Sequence, residues 1–237
     1  MLRSRRAIFE RWFATINDAA TVLDIGGRYQ PYRSLLANRA RRYVAVDLLP
    51  TSLVNVIADG QQLPFASETF DLVIATQVFE YFADPRQGAN EVLRVLKPGG
   101  AFCLSVAAFA PRFVDEEHWR FTPAGLRSIL SGFDKIEIIP ELSSIGGLLR
   151  SINLGANSFS NKNRVIFKFY QVTLCPAVNL LGLACERLKL ATNDQFAPNF
   201  SVRSVRKVRD QLFEGKCRSD GIAEAACQTY IVEHTDR

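Results

Sequence analysis

Five short runs between residues 21 and 107 are almost continuously apolar: TVLDI, RYVAVD, VNVIAD, FDLVIAT and AFCLSVA. A strand with one wet face alternates apolar and polar side chains. These runs do not, so both of their faces must be covered. The chain is thereby directed to a parallel sheet with helices on both sides. The segment PRQGANEVLRVLKPGG supplies one such cover: Ala89, Val92, Leu93 and Leu96 recur at helical spacing, and Pro98-Gly99-Gly100 is expected to end the helix. Thr122 caps a second helix with Pro123 at its first position, FDKIEIIPE alternates as a sixth strand, and NFSVRSVRKV alternates as a last one. Too few residues separate YVAVD from VNVIAD for a helical crossover, so a loop and a short third strand are expected there.

The chemistry of such a sheet lies at the carboxyl ends of its strands. The first strand ends in Asp24, followed by Gly26 and Gly27, where glycine permits positive φ and a close backbone approach. The dinucleotide fingerprint G-x-G-x-x-G is absent, since Arg28, Tyr29 and Gln30 follow, which disfavours a pyrophosphate cradle and an NAD-dependent oxidoreductase. The second strand ends in Asp47, about 20 residues on, the place from which a carboxylate takes both ribose hydroxyls. The third ends in Asp59-Gly60, placed to accept from an exocyclic amine, and the fourth in Ala75-Thr76-Gln77. Each acid alone reads as an ordinary turn. Three at successive strand ends fit an adenosine ligand.

The motifs VLDIGG, YVAVD, IADGQQLPFASETFDLVIATQVFEYFADP and EVLRVLKPGG, in this order, resemble those of class I S-adenosylmethionine-dependent methyltransferases. The likeness is greatest to small-molecule enzymes of the ubiquinone/menaquinone type. The later HWRFTPAGLRSIL is similar to members encoded among polysaccharide and glycosyltransferase genes. The resemblance implies an α/β, doubly wound, Rossmann-like sheet of seven strands, mostly parallel with an antiparallel last strand. It implies S-adenosyl-L-methionine as cofactor, held by Asp24, Gly26, Gly27, Asp47 with Leu48, Asp59, Gly60 and Gln77. Asp47 would take the ribose, Asp59 the adenine amine, and Gln77 would lie near the sulfonium. Two positions depart from the pattern: the third glycine of the first loop is replaced in the Arg28-Tyr29 region, and Glu80-Tyr81 stands where many relatives have Glu-His.

Methyl transfer is an in-line displacement in which positioning supplies much of the rate, and a hydroxyl acceptor benefits from a base. His118, Glu80 and Tyr81 are the catalytic candidates, with Trp119 and Arg120 beside them. Capping and packing of the helix at Pro123 is the slightly favoured reading of His118 and Trp119. The expected reaction is O-methylation of a small-molecule or glycan/lipid-linked acceptor. An RNA or protein methyltransferase and a catalytically weak binding scaffold are the rivals.

A chain of 237 residues, 48% hydrophobic, suffices for one α/β domain, expected over 1–209 with an apolar helical insertion at 146–190 and a polar tail at 210–237. Its N-terminal MLRSRRAIFERWFATI reads as an amphipathic helix rather than a signal peptide. Lys168, Gln171, Pro176 and Asn179 interrupt the most apolar later stretch, which disfavours a spanning helix and leaves peripheral membrane contact open. Five widely spaced cysteines (Cys103, Cys175, Cys185, Cys217 and Cys227) suggest reduced thiols and a cytoplasmic protein. Two histidines make a His-built metal site improbable, and no RNA-binding module accompanies the net charge of +5, so nucleic acid is a minority reading.

Overall fold

The apolar runs pair into one sheet. In the computed structural model, which describes residues 2–36, 38–111, 114–160, 164–188 and 193–208, the seven strands lie in the order β3-β2-β1-β4-β5-β7-β6. They are β1 (Ala20–Ile25), β2 (Ala40–Asp47), β3 (Val56–Ile57), β4 (Phe70–Thr76), β5 (Leu96–Ala107), β6 (Phe133–Pro140) and β7 (Asn199–Arg206). The first five are parallel, and β7 runs antiparallel to both of its neighbours. The carboxyl ends of β1 to β6 and the start of β7 therefore share one edge.

One face is covered by α2 (Pro85–Val95) and α3 (Pro123–Ile129), which bury Val92 and Leu126 with Phe79, Phe82 and Phe102. Both helices start as their sequences dictate. Asp84 accepts from the Arg86 amide and Thr122 from the Gly125 amide, each with proline at the first turn.

The opposite face is covered in an unexpected way. Between β1 and β2 there is only a 3₁₀ turn, Arg33–Leu36, because Gly26, Gly27 and Pro31 break any longer helix. The N-terminal α1 (Leu2–Phe13) takes the space instead. It buries Phe9, Trp12 and Phe13 against Val22, Leu72 and Ile74, and the Phe9 ring lies 4.9 Å from Tyr32. At roughly 1.5–3 kcal/mol per fully buried side chain, this packing rather than propensity holds a helix so short.

Two boundaries differ from the sequence expectation. α2 ends at Val95, before Pro98-Gly99-Gly100, and β5 begins at Leu96 opposite Phe70. The proline and glycines fall where the register shifts before Ala101, so the missing proline N–H removes no ladder bond. β3 shrinks to two residues, as the short loop from β2 requires. Three helices, α4 (Ser144–Ser160), α5 (Arg164–Val172) and α6 (Leu174–Arg187), lie between β6 and β7. The expected tail at 210–237 lies outside the described residues.

Candidate cofactor and acceptor site

Asp24 is 3% exposed at the end of β1, and the Tyr43 hydroxyl donates to its Oδ2 at 2.6 Å. Burial pushes this carboxyl up to about 7. The Tyr43 bond pulls against that rise and the nearby charge of Asp47 adds to it. A buried acid poised in this way beside a second acid is stabilised by a cationic group on a ligand.

The loop that follows is not built to hold phosphate. Gly26 has φ +74°, and the amides of Gly26 and Gly27 both donate to the Val46 carbonyl, at 2.8 and 3.1 Å. A phosphate cradle needs such amides pointing outward. Gly27 is required for another reason: a Cβ there would sit 2.8 Å from the Asp24 carbonyl and 2.9 Å from its carboxylate. Tyr29 is 74% exposed with the Arg28 guanidinium over its ring at 5.1 Å, so the ring stands in solvent and not in the cleft.

Asp47 is half-buried at the end of β2, with Oδ1 accepting from the Leu49 amide at 2.9 Å, and Leu48 beside it is exposed. Asp59 follows β3, its Oδ1 accepting from the Gln61 amide at 2.9 Å. Gly60 is buried because a Cβ would lie 2.6 Å from Phe82 and 2.7 Å from Ile25. Asp24, Asp47, Asp59 and Gln77 thus sit along one edge, at the ends of β1, β2, β3 and β4. These acceptors and their negative charge fit an adenosine bearing a cationic group.

Gln77 is held in the left-handed region at φ +55°, which an L-residue seldom adopts. Among the described residues four other non-glycine residues share that conformation, Gln30 at the end of the first loop being one of them. The Gln77 amide donates to Ser105 O at 2.8 Å, and its side chain reaches Glu80 Oε1 at 3.3 Å. Glu80 is 3% exposed. Burial pushes its carboxyl up to about 7, against the Ala107 amide that donates to Oε1. Its Oε2 is buried with no hydrogen-bond partner among the described residues. Its backbone carbonyl accepts from the amides of His118 and Trp119, at 2.8 and 3.2 Å. Glu80 therefore ties the end of β4 to the end of β5 and to the 118–119 segment.

The other catalytic candidates do not converge on that carboxylate. Tyr81 is 42% exposed and turns its hydroxyl to Glu117, at 3.4 Å. The His118 side chain is exposed. Trp119 donates to Phe82 O at 2.7 Å, while Arg120 pairs with Glu117 and donates to the carbonyls of Ala110, Pro111 and Trp119. Arg120 is thus a staple of its own loop. Beside it, a cavity of about 270 Å³ opens at the end of β5, lined by Phe109, Arg120, Phe121, Thr122, Asp194 and Phe200.

A buried polar cluster lies at the same edge, and sequence reasoning did not find it. Arg5 of α1 pairs in bidentate fashion with Glu141, at 2.7 and 2.9 Å, just past β6. Glu141 also accepts from Ser105 at 2.7 Å, Ser201 at 2.9 Å and Asn199 at 3.2 Å. Burial pushes the Glu141 carboxyl up, but Arg5 and these donors more than offset it and hold it below the usual carboxylate range. The signal in the sequence was a fourth acid directly after a strand. Its partner lies 136 positions away, which no local pattern reveals.

Residues 23–104 match a family model described as a methyltransferase domain. Among curated proteins, an uncharacterized methyltransferase of Mycobacterium sp. (strain JLS) is 33% identical over 107 residues, covering 41% of this chain and 42% of its own length. One from Mycobacterium leprae (strain TN) is 32% identical over 108 residues, covering 40% of each. The chain thus spans about two-fifths of the length of these relatives. Among solved structures, Haemonchus contortus phosphoethanolamine N-methyltransferase 2 in complex with S-adenosyl-L-methionine superimposes with a TM-score of 0.55 at 15% identity, covering 86% of this chain and 52% of that one. The cyclase SpnF gives 0.53 at 16% identity, covering 85% and 80%. These likenesses carry the fold, and a cyclase among them shows that the fold alone does not name a reaction. The motif order, the strand order and the family model matched over residues 23–104 agree in likening this part of the chain to a methyltransferase domain.

Proposed function

We propose that the chain transfers a methyl group from S-adenosyl-L-methionine to a hydroxyl of a small-molecule or glycan/lipid-linked acceptor. The observation that carries this is the buried Asp24 carboxyl, beside Asp47, in the row of acids at the ends of β1 to β3. The cofactor, when bound, supplies an electrophilic methyl on a sulfonium. Asp47 holds the ribose hydroxyls, Asp59 accepts from the adenine amine, and Asp24 supplies negative charge next to the cationic end. Gln77 is fixed by Ser105 and Glu80, so it orients the reacting end without reorganisation.

With the cofactor bound there, the acceptor oxygen would take its methyl, the carbon–sulfur electron pair would stay on sulfur, and the hydroxyl proton would leave to a base. His118 is the proposed proton acceptor, exposed on the segment that the Glu80 carbonyl anchors. Glu80 is a positioning residue, and Tyr81 lines the rim. The apolar body of the acceptor enters the cavity beside Phe109 and Phe121.

The test is transfer of labelled methyl to a panel of saccharide, isoprenoid and lipid-linked hydroxyl acceptors. The proposal expects an alkali-stable methyl ether. An alkali-labile ester would move the reaction to a carboxylate acceptor. Label found only on added protein or RNA would select the rival methyltransferase reading, and cofactor binding without transfer to any acceptor would leave a binding scaffold. For His118→Ala the proposal expects a fall in turnover with cofactor affinity kept; unchanged turnover removes His118 from the mechanism.

A further inference from the structure

The segment 146–190, which takes in nearly all of the three helices between β6 and β7, carries the chain's whole charge excess. Residues 146–190 hold six basic residues and one acid, whereas the other 192 residues balance at 23 basic and 23 acidic. The same helices present apolar side chains to solvent: Phe169 is 64% exposed, Val172 76%, Leu180 66% and Leu188 70%. Leu174, Leu181 and Leu188 recur every seventh residue through α6 and the residue just beyond it, a spacing that places them on one helix face. Phe169 and Val172 stand three apart on α5. Exposed Lys168 and Arg187 flank this apolar set, where long aliphatic stems let the charges rise from an apolar surface to polar headgroups.

The helices have an inner side of their own, so the exposed side is not a failed core. Tyr170 is 7% exposed and donates to Asn153, while the Asn153 amide donates to Asn179 at 2.9 Å, joining α4, α5 and α6. Their entry and exit are pinned together. Ser144 donates to Asn193 O at 3.0 Å and accepts from the Phe196 amide at 3.0 Å, three residues from Glu141 at the carboxyl edge of the sheet. The segment is rooted at the edge that carries the candidate site.

We infer that this face docks on an anionic lipid bilayer, lying on the surface. Among the described residues no helix is long and apolar enough to cross a membrane, which fits surface docking. Charge decides between occupants. A two-fold contact between copies would set like patches against each other and bring two strongly basic segments together. A nucleic acid would satisfy the charge but leave the leucines and valines without an apolar partner. An anionic bilayer satisfies both, with apolar groups in the acyl boundary and basic groups at the headgroups. The inference does not depend on methyl transfer, although docking would bring the strand-end edge towards a lipid-linked acceptor.

Flotation of the full chain with phosphatidylcholine vesicles, with and without phosphatidylglycerol, tests it. Binding is expected to the phosphatidylglycerol vesicles and to fall with added salt. Each basic residue near the surface is worth about 1 kcal/mol, or roughly fivefold in partitioning. Lys168→Glu with Arg187→Glu, both at exposed positions, is therefore expected to weaken binding by more than about tenfold. Phe169→Ser with Leu181→Ser is expected to weaken it at all salt concentrations. Unaltered thermal unfolding of the charge-reversed chain keeps loss of fold separate from loss of docking. No flotation of the native chain, or flotation that neither pair of substitutions changes, overturns the inference. A concentration-dependent dimer in light scattering, dissociated by Phe169→Ser with Leu181→Ser and without vesicle binding, also overturns it and gives the face to a second copy.

Discussion

Replacing Asp24 by asparagine separates what this residue costs the fold from what it gives a ligand. Burial raises its carboxyl from an ordinary 3.8 to about 7, so between those values the folded chain keeps a proton that the unfolded chain has released. Stability is then lost as pH rises through that window, the reverse of a salt-bridged acid. A rise of about three pH units corresponds to about 4 kcal/mol at 1.36 kcal/mol per unit, fully felt only above pH 7. Asparagine occupies the same volume and offers an oxygen to the Tyr43 hydroxyl, so little packing is lost. Glu80 shifts in the same direction but is present in both chains, and cancels in the difference. Urea unfolding at pH 5 and pH 8 is the assay. Asp24→Asn is expected to be the more stable chain, by a margin that grows by about 2–3 kcal/mol between the two pH values. Its affinity for S-adenosyl-L-methionine is expected to fall. A margin independent of pH would refute the burial argument, since Asp24 would then titrate alike in both states.

Two further outcomes follow from the same geometry. Asp47→Ala is expected to weaken cofactor binding by about 10- to 100-fold, as for a lost charge-assisted pair of about 1.5–3 kcal/mol, with unfolding little changed because Asp47 is half-buried; calorimetry and thermal melts check both. Arg5→Met leaves Glu141 as an uncompensated buried charge and is expected to destabilise the chain by roughly 3–5 kcal/mol, measured by urea unfolding. Arg5→Met with Glu141→Gln, which removes the charge and keeps an acceptor for Ser105 and Ser201, is expected to recover part of that loss.

How much of this was legible in the sequence depended on the range of the interaction. β1, β2, β4 and β5 announced themselves because burial on both faces leaves no polar alternation, and the Thr122 cap acts within three residues. β3 at the sheet edge instead leaves Ile57 63% exposed, against the expectation of cover on both faces. The acids at the strand ends were legible because parallel strands put their carboxyl ends on one edge. The covering role of α1 was not, since its amphipathic pattern does not say which face it meets. The start of β5 was misplaced because proline and glycine usually end helices, and here they fall in a register shift. The destinations of Arg120 and Tyr81 were also hidden. A sequence shows an arginine near a site, but not that its guanidinium is consumed by Glu117 and three carbonyls of its own loop.

The central claim is that the edge formed by Asp24, Asp47, Asp59 and Gln77 holds S-adenosyl-L-methionine, and calorimetric titration tests it most directly. The account predicts sub-millimolar binding of S-adenosyl-L-methionine, tightening as pH rises through about 7 while Asp24 ionises, with that pH dependence removed in Asp24→Asn. Absence of binding by both S-adenosyl-L-methionine and S-adenosylhomocysteine at millimolar concentration would contradict it.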